Sequence, residues 1–181
     1  MRPSAEERRQ RIIQAAHELI PAVGVQGLTH RLVAERARVP LGSTTYYFAT
    51  LADLVDAALA AATDVTTECL RDWSERLEAS TDVPATLAEL VGEWVEDGEQ
   101  LATWNELYTA AGHRPELRAL ARVWSDGLAD LLTAYATDQA AARDAAAFVD
   151  GVVMHALIRD EPVDSARLAR VIAVLLGRYP A

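Results

Sequence analysis

Apolar side chains recur along this chain at helical intervals almost from end to end. Ile12, Ala15, Ala16, Leu19 and Ile20 fall on one stripe. Before them stands Ser-Ala-Glu-Glu, in which Ser4 and Glu7 have the spacing of a reciprocal helix cap. Gly24 and Gly27 are expected to end that helix and make the next turn. Thr29 is placed as N-cap to HRLVAERA, with Leu32, Val33 and Ala37 on its buried side and Ala34 small enough for a close crossing. Pro40 is placed to open a third helix, because its fixed φ and missing N–H suit a first turn. From Thr50 to Ala79 no Gly or Pro interrupts the pattern, and Leu51, Leu54, Val55, Ala58 and Leu59 share a face. Further segments are expected near 84–98, 100–111, 115–136, 140–158 and 165–178, with GHRPE (112–116) and RDEPVDS (159–165) as the clearest breaks. The predicted fold class is all-α.

One stretch departs from this alphabet. Residues 39–48, VPLGSTTYYF, concentrate hydroxyls and aromatics between Val39 and Phe48. Propensity alone suits STTYYF to a strand. A strand must pair its backbone, however, and no second β-rich run exists here. A short helix after the turn ARVP instead completes a helix-turn-helix, packed on the first helix through Ala34, Val39 and Phe48. In such units the second helix enters the major groove of DNA. Ser43, Thr44 and Thr45 can donate and accept at base edges or phosphates, and Tyr46 and Tyr47 can reach phosphate oxygens. Gly42 lets the backbone come close, and Pro40 and Leu41 lie at the same surface by position.

Charge sharpens the picture. The net charge of −10 over 181 residues argues at first against a nucleic-acid partner. Residues 1–50 nevertheless hold seven Arg against four Glu, a net of +3, while residues 51–181 carry −13. Every basic group apart from histidine is Arg. A small anion-binding head on an acidic body is one explanation; chance segregation of surface charge is the other. Arg2, Arg8, Arg9 and Arg11 form either a basic approach surface or a solvated helix face.

Cys69 is the only cysteine, which excludes a disulfide framework and a thiolate metal site. The longest apolar stretches, such as LVDAALAAA, fall far short of the roughly 20 residues that span a bilayer. The charged start MRPSAEERRQR lacks the apolar core of a signal peptide. A cytoplasmic protein without membrane contact is expected. Asp150 and His155 are five apart, off the spacing of one helix face, so neither a metal nor another cofactor is expected. No nucleophile–base pair, Gly-rich phosphate loop or paired-His motif marks an enzyme.

The stretch GLTHRLVAERARVPLGSTTYYFATLADLVDAAL, residues 27–59, resembles the N-terminal domain of the TetR family of transcriptional regulators. Thr29, Val33, Ala34, Ala37, Val39, Gly42, Phe48 and Leu54 occupy that family's anchor positions, and the match covers about residues 5–60. Three positions depart from the pattern. Arg38 stands where a turn glycine is usual, Leu51 where a phosphate-binding Lys is common, and Thr45 where Tyr is usual. The resemblance implies a three-helix DNA-binding domain over 1–50 and a helical effector-binding and dimerisation domain over 51–181. It places Thr29, His30 and Arg31 near backbone phosphates, a solvated surface being the alternative for His30 and Arg31, and leaves the missing Lys contact at the next helix start either absent or supplied by Thr50.

The resemblance also implies the partners: double-stranded operator DNA, a small-molecule effector and a second copy of the chain. Trp94, Trp104, Tyr108 and Trp124 are the candidate effector residues, with plain core as the alternative. Phe148, Val152, His155, Leu168, Ile172 and Leu175, on two unusually apolar helices, are the candidate dimer interface; closure of the monomer's own core is the alternative. The implied function is a repressor that releases its operator when an effector binds. A helical binding or scaffold protein that has lost specific DNA affinity is the competing function, because of Arg38 and Leu51.

Overall fold

A computed structural model describes residues 4–159 and 161–177. Among these the chain forms helices and no strand. They are α1 (Ala5–Gly27), α2 (His30–Ala37), α3 (Leu41–Tyr47), α4 (Leu51–Glu78), α5 (Val83–Glu96), α6 (Gly98–His113), α7 (Arg118–Thr133), α8 (Gln139–Arg159) and α9 (Ser165–Leu175). A single 3-10 turn, Pro115–Leu117, precedes α7. VPLGSTTYYF is therefore helical over Leu41–Tyr47, against its strand propensity. With no neighbouring strand to complete a ladder, the local i→i−4 bonds win.

The helix starts follow the expected side-chain chemistry. Ser4 and Glu7 form the reciprocal cap: the Glu7 N–H donates to Ser4 Oγ at 3.0 Å, and the Ser4 N–H donates to Glu7 Oε2 at 2.6 Å. Thr29 Oγ1 accepts from the Leu32 N–H at 3.1 Å. Thr50 and Asp53 repeat the reciprocal arrangement at the start of α4. Asp82 and Asp164 cap α5 and α9. Gly24 breaks α1 as expected: at φ 67° and ψ 167° it takes a backbone conformation that favours glycine, and a last turn follows to Gly27.

Two compact units emerge. The first comprises Met1–Val65 and Ala102–Ala121, and the second comprises Thr66–Leu101 and Arg122–Ala181. In the first, Ile12, Ile20, Leu28, Val33, Phe48 and Leu54 form one core, joined by Leu107, Ala111 and Leu117 from the later segment. Leu32 is 38% exposed rather than buried, because α2 is only two turns long and Val33, Ala34 and Ala37 already fill its inner side. In the second unit α5 packs against α9 and α8. The buried side of α8 is a stripe of Ala142, Ala145, Ala146, Val149, Val153 and Ala156. Gly127 permits a close crossing within that unit, since a Cβ there would lie 2.5 Å from Leu70 Cδ1.

Candidate functional site

Helices α2 and α3 form the expected helix-turn-helix, and the turn between them is built on Arg38. This residue adopts φ 55° and ψ 48°, the left-handed conformation, and its N–H closes the end of α2 on the Ala34 and Glu35 carbonyls. The departure from glycine therefore costs on the order of 1 kcal/mol of backbone strain. Helix α3 is anchored by Phe48, which is buried, and by Tyr47, half-buried against the same core. Its outer face is Leu41, 50% exposed, Gly42, Thr45 and Tyr46, 81% exposed. The Tyr46 ring meets Tyr47 edge-on at 5.1 Å, which holds the exposed ring upright on the helix.

Thr44 corrects one expectation. It is fully buried, and its hydroxyl donates to the Leu41 carbonyl at 2.8 Å. Its place in the three-to-four repeat turns it toward α1 and the core, so it presents nothing to an external partner. Ser43 is half-buried, and Pro40 is exposed at the N-cap of α3. Thr29 is exposed and His30 half-buried at the start of α2. The exposed Thr50 hydroxyl accepts the Asp53 N–H at 3.1 Å and keeps its own proton for donation.

The arginines divide by role. Arg11 crosses to the end of α2, where its guanidinium donates to the Ala37 carbonyl at 2.6 Å. Arg9 lies over the Phe48 ring at 5.4 Å, and Arg36 pairs with Glu18 of α1 at 2.7 Å. That hydrogen bond holds the Glu18 carboxyl below its ordinary range. These three tie the helix-turn-helix to α1. Arg31 and Arg38 are exposed and carry no ion pair among the described residues, so they remain available to an anion. Arg2 lies outside the described residues.

The four candidate effector aromatics fall into two groups. Trp104 and Tyr108 belong to the first unit, with ring centroids 4.2 Å apart. Trp94 and Trp124 belong to the second unit and stack at 4.1 Å. Trp73 meets both edge-on, at 6.2 and 5.3 Å. Into this indole cluster Asp150 brings a carboxyl, which accepts the Trp124 Nε1–H at 2.7 Å. Burial pushes the Asp150 carboxyl up to about 6, and the Trp124 hydrogen bond offsets only part of that rise. No Arg or His stands within ion-pair distance of it among the described residues. Asp150 is thus a half-buried carboxylate beside stacked indoles, with no counter-charge within ion-pair distance among the described residues.

Sequence reasoning missed both Trp73 and Asp150 as members of this group. Trp73 lies 21 residues before Trp94 on a separate helix, so spacing gave no link. Asp150 carried a usable signal, being a lone acid in the apolar run AAAFVDGVVMHALI.

The candidate interface residues also divide. Leu168, 3% exposed, and Ile172, fully buried, lie in the core of their own unit. Phe148, Val152 and His155 line a groove of about 630 Å³ together with Arg159 and Arg167. Leu175 is half-buried, while Val174 is 49% and Ile158 74% exposed. No group of three His, Cys, Asp or Glu able to hold a metal occurs among the described residues, and no helix there is long and apolar enough to cross a membrane.

Residues 78–178 match the family described as tetracyclin repressor-like, C-terminal domain. The chain is 31% identical over 176 residues to the HTH-type transcriptional regulator BetI of Burkholderia mallei, covering 88% of this chain and 87% of BetI. The crystal structure of multidrug binding protein EbrR complexed with proflavin is similar at a TM-score of 0.79 and 41% identity, covering 93% of this chain and 99% of EbrR. EbrR is also solved in complex with ethidium and with malachite green. A TetR-family member from Streptomyces coelicolor A3 gives a TM-score of 0.82 at 40% identity, covering 97% of this chain and 99% of that one.

Proposed function

The chain belongs to the TetR family of ligand-responsive, DNA-binding transcriptional regulators, and we propose that it is a homodimeric repressor released from its operator by an aromatic organic cation. The observation that carries the DNA role is the outer face of α3, where Leu41, Gly42, Thr45 and Tyr46 stand exposed on a helix anchored from below by Phe48. That face enters the major groove. Arg31, with Thr29, His30, Ser43, Thr50 and the Tyr47 hydroxyl, holds the flanking phosphates. The repressor acts in the cytoplasm, where its operator is.

Two copies meet through α8 and α9. The exposed Ile158 and Val174 and the groove lined by Phe148, Val152 and His155 support this face over one built on Leu168 and Ile172. A two-fold pair of heads then meets half-sites about 34–36 Å apart. Val174→Glu should yield a monomer by light scattering, because Val174 is too exposed for its replacement to unfold the chain.

The effector class follows from Trp73, Trp94, Trp124 and Asp150, and from the cationic dyes that EbrR binds. Anisotropy on the DNA upstream of its own gene tests the whole proposal. Tetraphenylphosphonium serves as the cation there, since ethidium would itself intercalate. Saturable binding that weakens with salt and with the cation is expected. If a genome-wide selection recovered no duplex, the repressor role would fall and a helical scaffold would be the better description.

A further inference from the structure

The kink in α1 is closed by a residue 81 positions away. Where Gly24 breaks the helix, the Val25 N–H loses its i→i−4 partner, and Glu106 Oε2 of α6 accepts it at 3.0 Å. The same carboxylate lies flat against Gly24, where a Cβ would come within 3.5 Å of Glu106 Oε1. No arginine pairs with Glu106 among the described residues, and there the Val25 amide is its hydrogen-bond partner. Nearby, Arg114 clamps the end of the same segment to α4 by pairing with Asp56 at 2.7 and 2.9 Å. The elbow that Glu106 closes leads directly to Thr29, the cap of α2.

We propose that Glu106 is a positioning residue for DNA binding: its carboxylate is the latch by which α6 fixes the Gly24–Val25 elbow and so aims α2 and α3. A charge-assisted bond to a backbone amide fixes direction as well as distance. This positioning role rests on the DNA-binding function proposed above.

The test uses the full chain with Glu106→Ala and Glu106→Gln, the latter keeping an acceptor for the Val25 amide. Operator affinity is measured alongside the thermal midpoint and hydrogen exchange at Val25. For Glu106→Ala we expect operator affinity to fall about tenfold and the Val25 amide to exchange faster, with the thermal midpoint close to that of the wild type. Glu106→Gln should restore most of the operator affinity. Wild-type operator affinity in Glu106→Ala would overturn the proposal. So would a lower affinity that merely tracks a lower thermal midpoint. If the wild type itself binds no duplex, the DNA-binding function fails; the exchange rate at Val25 in Glu106→Ala then decides whether the latch holds the elbow.

Discussion

Helix α3 turns its side chains outward from an apolar base, whereas the centre formed by Trp73, Trp94, Trp124 and Asp150 turns a carboxyl inward among indoles. On α3 the exposed Tyr46 and Thr45 remain hydrated until a partner arrives, so holding them ready costs the fold little. At the indole cluster Asp150 is a standing cost, because its charge is half removed from water with only the Trp124 N–H to satisfy it. A surface that waits for a polyanion can be assembled from ordinary exposed residues. A carboxyl held inside a helical unit without a counter-charge stores an unmet charge, and the cation site proposed here would use it.

The contrast is broken most directly at Asp150. Asp150→Asn should lower ethidium affinity by about thirtyfold, the loss of roughly 2 kcal/mol of desolvated cation contact. The same substitution should stabilise the protein at pH 7.5 by about 1–2 kcal/mol in thermal melts, since it removes an uncompensated charge. Loss of affinity together with loss of stability would instead make Asp150 an ordinary partner for Trp124.

pH sharpens the same point. The folded-state value near 6 is raised above the ordinary carboxylate range, so the native protein holds this proton more tightly than the unfolded chain. Its contribution therefore makes stability fall as pH rises through the interval between the two values, and the deficit stays constant above about 6. The proposed cation binding should run the other way, because it needs the carboxylate. Ethidium affinity, followed by tryptophan quenching, should fall about tenfold from pH 7.5 to pH 5, with no such dependence in Asp150→Asn.

On the DNA side the expected effects are smaller and of a different kind. Arg31→Ala should weaken binding about five- to tenfold on every duplex alike and make the salt dependence shallower by about one counterion. A loss confined to one sequence would place Arg31 at a base instead. Thr44→Ala should cost about 1 kcal/mol of stability, through the lost bond to the Leu41 carbonyl and the lost buried methyl, while sequence preference stays as it was. A changed operator preference on selection would show that α3 rotates on binding. Least of all, Arg38→Gly should stabilise by about 0.5–1 kcal/mol, with strain relief partly offset by the entropy of an extra glycine. An unchanged melting temperature would mean that the Arg38 side chain repays its strain.

The sequence alone determined the all-helical class, the positions of α1 to α4 and the cap residues Ser4 and Thr29. These depend on period, capping and turn chemistry within a few residues, where local bonds decide the outcome. It also carried the helix-turn-helix, because the spacing of Val33, Ala37, Val39 and Phe48 is a packing constraint over a short span. Tertiary structure alone decided which way each residue of α3 faced, since a seven-residue helix gives too few turns for periodicity to separate Thr44 from Thr45. It decided likewise that Leu168 and Ile172 would face inward while Val174 faced out, on a helix apolar on several sides. The Asp150–Trp124 bond and the Glu106–Val25 latch join residues 26 and 81 positions apart. No local pattern encodes such distances: they are set by helix packing, and a carboxyl reveals its partner only once the chain has closed around it.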